Sequence, residues 1–319
     1  MSQIDEMRLI VRITRMYYEQ NLNQPQIAKH LGISQATVSR ALQRAREEGI
    51  VRFSISVPPG IYSDLEESLI QTFNLRDAIV VDVHEDDDER IIEREIGAAA
   101  AYYLESILRP NDVIGISSWS ATLLALVDAM VPQSRKTGIK VIQILGGIGN
   151  PSAEVHANRL TSRLADLLHG TAVYLPAPGI VGSEAALQVI LDDIYVKKTI
   201  AQFQEVTTAL VGIGALEPSK LLAASGNIFS ASELELLRKH GAVGDILLRF
   251  YDRNGKLIKT PLNHRVVSME LEQLKKVDRS IGVAGGKRKS ASIKGALRGG
   301  WINILITDHF TATLLLQEG

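Results

Sequence analysis

Ile4, Met7, Ile10, Ile13 and Tyr17 recur at three- and four-residue steps, which predicts an amphipathic helix over residues 3–20. After a polar break, Gln24-Pro25 suits an opening helical turn, and Ile27, Ala28 and Leu31 share one face of a short second helix. Gly32-Ile33-Ser34 predicts a tight turn, with Gly32 free to take positive φ and Ser34 placed to cap a third helix over 35–48. Gly49 ends that helix, and residues 50–56 read as a short strand before the breaker Val57-Pro58-Pro59-Gly60. A domain boundary is expected there, dividing the chain into residues 1–57 and 58–319.

Beyond the boundary the rhythm changes. A charged helix over 63–73 carries Leu65, Leu69 and Phe73 as an apolar seam, suited either to subunit pairing or to packing on its own domain. Short β-rich runs follow at 78–83, 113–116, 141–145, 172–175, 208–213, 246–250, 281–283 and 302–306, separated by helical patterns. They lack strict alternation, which predicts a largely parallel sheet covered by helices on both faces. The fold class is therefore α/β, with a small winged helix-turn-helix domain ahead of a large, mostly parallel sheet domain.

Composition narrows the chemistry. With 319 residues, 45% of them hydrophobic, the chain can bury a sizeable core, which excludes disorder. The absence of cysteine excludes disulfides, zinc-thiolate sites and a thiol nucleophile. The longest stretch free of Asp, Glu, Lys and Arg, residues 167–183, holds His169, Pro176 and Pro178, so no membrane helix is predicted. The opening Met-Ser-Gln-Ile-Asp-Glu is unlike a signal peptide, and a cytoplasmic location is expected. The net charge of −1 hides an asymmetry: residues 1–56 carry eight Lys or Arg against five Asp or Glu. Within residues 24–46 the bases Lys29, Arg40, Arg44 and Arg46 meet no acid, an excess suited to a polyanion.

That excess coincides with helix-turn-helix spacing. Ala28 is small where two helices would cross, Gly32 makes the turn, and Ile27, Leu31, Ile33, Val38 and Leu42 can form a shared core. The outer face of the third helix then offers Gln35, Ala36, Ser39, Arg40 and Gln43 to base edges of double-stranded DNA, with Arg44, Arg46 and Lys29 placed for phosphate.

In the large domain, glycine-rich turns at 115–123, 145–150 and 282–289 follow predicted strands, where open parallel sheets bind ligands. Enzyme motifs fail. Ile281 stands where a P-loop needs its first glycine, and Arg288 where it needs Ser or Thr. Glu217 occupies the third glycine of a dinucleotide fingerprint begun by Gly212 and Gly214, leaving only a weak case for an NAD-responsive protein. Gly115 to Trp119 lacks the second glycine of a nucleophile elbow. The seven histidines, His30, His84, His156, His169, His240, His264 and His309, include no close pair at metal-ligand spacing. The acidic run 85–89 is better read as the opening of a helix than as a cation site. No metal or cofactor is called for.

Several blocks together resemble a known family. Val38-Ser39-Arg40-Ala41-Leu42 and Ala45 to Val51, then Gly115-Ile116-Ser117 through Thr122-Leu123, Gln143 to Gly149, Gly241 to Ile246, Gly282 to Gly286, Ala296 to Trp301 and Leu305 to Asp308 are similar to the SorC family of sugar-sensing bacterial transcriptional regulators. The resemblance covers almost the whole chain. It implies a large domain with the fold of ribose-phosphate isomerases and glucosamine-phosphate deaminases, without their catalysis. It also implies dimers that pair into tetramers, and a sugar, polyol or sugar-phosphate effector that alters DNA affinity in carbohydrate catabolism. Carried over by position, the effector site comprises Ser118, Ser120, Ala121 and Thr122, the backbone of Gly146 and Gly147, Asp245 and Lys289. Two positions depart from the family pattern: Ser120 replaces a glycine beside the tryptophan, and Leu145 replaces a basic residue found in some phosphosugar-binding members. The competing reading is a sugar-phosphate isomerase or deaminase with an appended DNA-binding domain, for which Asp245, Asp308 or His309 could serve as general base.

Overall fold

The computed structural model describes residues 3–51, 58–84, 88–133 and 137–317, with side chains throughout except at 3–4 and 151–157. It divides into two units, Met1–Pro58 and Pro59–Gly319.

The first unit contains α1 (Gln3–Tyr18), α2 (Gln24–Leu31) and α3 (Gln35–Glu47). Asn23 caps α2 through a reciprocal pair with Gln26, and Ser34 caps α3 by accepting from the Thr37 amide. Between them Gly32 takes φ +66°, the left-handed conformation that ends α2 without steric cost. Ile10, Ile13 and Met16 of α1 close the core over Ile27, Ala28, Val38, Ala41, Leu42 and Ala45. Of the strand expected over 50–56, residues 52–56 lie outside the described residues and residues 50 and 51 form a bend; most of the acidic run, at 85–87, also lies outside them. At the end of that run Asp88 caps a helix by accepting from the Arg90 and Ile91 amides.

The second unit opens with α4 (Ser63–Phe73) and β1 (Asp77–Val81), followed by α5 (Glu89–Ile107), β2 (Val113–Ile116), α6 (Ala121–Ala129), β3 (Lys140–Gln143), α7 (Pro151–Leu167) and β4 (Thr171–Val173). The helices α8 (Glu184–Asp192) and α9 (Ile194–Ala201) precede β5 (Thr208–Gly212), β6 (Gly214–Ala215), α10 (Lys220–Ser225) and α11 (Ala231–Lys239). The chain ends with β7 (Ala242–Ile246), β8 (Arg249–Asp252), α12 (Leu271–Leu274), β9 (Arg279–Val283), α13 (Ser290–Gly299), β10 (Ile304–Asp308) and α14 (His309–Gln317).

Seven strands form one sheet in the order β1-β10-β9-β5-β2-β3-β4, every pairing parallel. Both faces are covered, which is why β9 and β10 are buried at every position and their sequences do not alternate. On one face Ile96, Leu104, Leu123, Leu126 and Leu164 pack over Ile114, Ile116 and Ile281. The other face carries the larger core, and Leu69 of α4 is fully buried in it, with Leu65 and Phe73 packed alongside. The apolar seam of α4 therefore packs on its own domain.

β2 and β5 are neighbours, yet β2 leads through α6 to β3 on one side while β5 leads to β9 on the other. Such a reversal leaves a crevice at the carboxyl ends of the two strands.

One expected element is corrected. The run 246–250 is not one strand but the turn of a hairpin, with β7 and β8 pairing antiparallel and Ile246 opposite Arg249. Leu247 and Leu248 make the two-residue connection at φ +57° and +62°. Turns of this hand normally carry Asn or Gly, so two leucines hid it.

Candidate functional site

On α3, Gln35, Ala36, Ser39, Arg40 and Gln43 are exposed, while Val38, Ala41, Leu42 and Ala45 face the core. This periodicity presents the expected base-reading residues along one outer face, and Lys29 is exposed on α2. Arg44 differs from expectation. Its guanidinium is 2.6 Å from Glu6 and 2.5 Å from Glu48, so acids from α1 and the end of α3 meet a segment that holds none itself. Hydrogen bonding and charge from Glu48, with charge from Glu6, raise its pKa further.

In the second unit a cleft of about 610 Å³, open solvent at its mouth included, lies at the reversal between β2 and β5. Ser120, Ala121 and Thr122 line it at the N-terminus of α6, where Ser120 Oγ accepts from the Leu123 amide at 3.3 Å. The amides of Ala121 and Thr122 precede the first intrahelical bonds and carry the positive end of the helix dipole. Asp245 enters from β7 and Lys289 from the turn after β9, both buried. Five of the eight expected effector residues thus converge.

The other three lie outside the lining. Ser118 donates to the Leu145 carbonyl at 2.6 Å, tying the turn after β2 to the turn after β3. Gly146 accepts from Trp119 Nε1 at 3.0 Å, which seats the indole against the cleft. At Gly147 a Cβ would collide with the buried Gln143 side chain.

Burial pushes the Asp245 carboxyl up to about 6, against the Leu248 amide, which donates to it at 2.9 Å, and against the charge of Lys289. Gly212 and Gly214 gain a structural reason here. A Cβ at Gly212 would approach Ser120 Oγ to 2.6 Å, and one at Gly214 would collide with Asp245 Oδ1. These glycines make room for two polar residues of the cleft, a structural reason for them that requires no dinucleotide.

Sequence reasoning missed Glu93. It enters from α5, lines the cleft and sits 3.8 Å from Lys289 Nζ. Burial raises its pKa, and Lys289 draws it back. No motif marks it, because it lies on the inner turn of a charged helix. Of the other candidate bases, Asp308 is occupied by the Gly286 amide and by the Thr311 amide and hydroxyl. His309 stacks on Tyr62. Neither lines the cleft.

The model of the family described as "Putative sugar-binding domain" matches residues 59–317, and that of "Sigma-70, region 4" matches residues 15–48. The chain is 35% identical to the sorbitol operon regulator of Klebsiella pneumoniae over 99% of this chain and 100% of that protein. The chain belongs to the SorC family of transcriptional regulators. It is also 32% identical to the deoxyribonucleoside regulator of Bacillus subtilis, over 98% of this chain and 99% of that one. Full-length SorC from Klebsiella pneumoniae matches in structure with a TM-score of 0.73 at 33% identity, covering 98% of this chain and 99% of that one. These SorC-family relatives are regulators rather than enzymes, so the isomerase or deaminase reading gains no support from them. Among the described residues no helix is long and apolar enough to cross a membrane, and no cluster of His, Asp and Glu could hold a metal.

Proposed function

We propose that the protein regulates carbohydrate catabolism from the cytoplasm, with operator affinity set by a small carbohydrate bound at the β2/β5 crevice. Residues 1–57 form the DNA-binding domain, and residues 58–319 the effector-binding and oligomerisation domain. In the first, Gln35, Ala36, Ser39, Arg40 and Gln43 read bases while Arg44 and Lys29 contact phosphate. In the second, Asp245 accepts from two hydroxyls, Ser120 and Thr122 bond others, and Lys289 donates. Ser118, Gly146 and Gly147 hold the turns that shape the cleft. The carrying observation is the convergence of Ser120, Asp245 and Lys289 from three separate elements in one cleft. The protein acts as a dimer or tetramer on paired half-sites. The test is operator binding by fluorescence anisotropy during titration with sugars, alditols and their phosphates. One class of compound shifts operator affinity in the wild type and fails in Asp245→Asn; unchanged affinity with every compound would overturn the reading.

A further inference from the structure

The charges around the cleft come in matched pairs. Lys289 lies 3.8 Å from Glu93, and Arg288 lies 2.5 Å from Glu89 while also donating to the Glu217 carbonyl. The Glu217 carboxylate is itself paired with Arg238 at 2.9 Å. Lys220 is exposed, and its charge acts on the same Glu89. Among the described residues Asp245 is left without an ion pair, buried in the lining. The interior therefore offers carboxylate acceptors and no surplus of cations.

A sugar phosphate carries nearly two negative charges at neutral pH and presents only acceptor oxygens at that end. The α6 N-terminus supplies roughly half a positive charge against it. Glu93 already engages Lys289, and Asp245 adds a second buried carboxylate to the same lining. A sugar or alditol suits the same groups: its hydroxyls donate to Asp245 and Glu93 and accept from Lys289 and the helix-opening amides. Leu145, also in the lining, adds no charge.

We propose that the effector is an uncharged polyhydroxylated compound, a sugar or alditol, and that Glu93 is the specificity residue that excludes its phosphate ester. The inference rests on the effector reading above and deepens it. Glu93 acts by holding Lys289 neutralised and by offering an acceptor where an anion would need a donor.

Isothermal titration of the full-length protein at pH 7.5 tests it, using pentoses, hexoses and their alditols, each paired with its terminal phosphate ester. In the wild type the responding neutral compound binds at least about tenfold tighter than its ester, and Glu93→Gln narrows that preference by about tenfold by strengthening ester binding. An ester that binds the wild type as tightly as its parent, or more so, overturns the proposal whether or not the variant folds. An unchanged preference in folded Glu93→Gln removes Glu93 from it. No binding by any pair sinks the effector reading itself.

Discussion

At the scale of single residues, the ionisation of Asp245 is where fold and function pull apart. Its carboxyl titrates near 6 in the folded chain, against a usual value near 3.8, because burial penalises the charged form. A group whose folded pKa is raised binds more protons in the native state, so its contribution favours folding at low pH. That contribution is lost as pH climbs from about 4 to about 6, a change of about 2–4 kcal/mol. Asp245→Asn should flatten this part of the pH–stability curve and raise the melting temperature of the ligand-free protein at pH 7. Thermal melts of both proteins from pH 4 to 7 check it, and parallel curves would count against it. On the DNA side, Arg40→Ala should cost about 1–3 kcal/mol on the preferred operator and relax its sequence preference. Arg44→Ala should weaken all sequences alike, flattening the salt dependence by about one log-log unit, since a phosphate there replaces Glu6 and Glu48. Anisotropy titrations at several salt concentrations separate the two. The exposed position of Arg40 and the cleft position of Ser120 were legible from sequence, because they lie in a repeating pattern and a glycine-rich turn. Glu93 was not, because only packing of α5 on the sheet brings it to Lys289.

Among elements, the β7–β8 turn shows which of two opposed effects wins. Left-handed backbone costs about 1–2 kcal/mol per non-glycine residue. Full burial of a leucine side chain returns about 1.5–3 kcal/mol, and Leu247 and Leu248 are both buried beside the cleft. Burial exceeds strain, so leucines persist where a free turn would take Asn-Gly. Leu248→Gly should therefore relieve strain and still lower stability, by about 1–3 kcal/mol net, the usual loss for a truncated core leucine less the strain relieved. Denaturant unfolding measures this, and a stabilised variant would show that strain dominates. The same balance explains what the sequence concealed, since turn chemistry is legible when local preference decides and silent when tertiary burial overrides it. The helix-turn-helix is the opposite case. Asn23, Gly32 and Ser34 each act locally, and the elements they cap match expectation to within a residue or two at their ends.

For the whole molecule, parallel order was legible from non-alternating apolar runs, but strand order was not, because the β2/β5 reversal depends on which neighbours later strands find. That reversal places the cleft in residues far along the chain from the helix-turn-helix. A single helix-turn-helix would make few phosphate contacts and select one genomic site poorly, so sedimentation should show a dimer or larger species at micromolar protein. A carbohydrate bound at the crevice affects operator binding only if it prefers one of two states of the assembly, and that preference is a coupling free energy. Coupling between two binding sites is reciprocal. If saturating carbohydrate changes operator affinity by a given factor, saturating operator must change carbohydrate affinity by the same factor in the same direction. Titrating the carbohydrate into the free protein and into its operator complex gives the second factor, and anisotropy with and without carbohydrate gives the first. Equal factors establish that the carbohydrate and the operator are linked through the protein. A carbohydrate that changes operator affinity but binds both forms equally would have to act elsewhere, on the DNA or at another site.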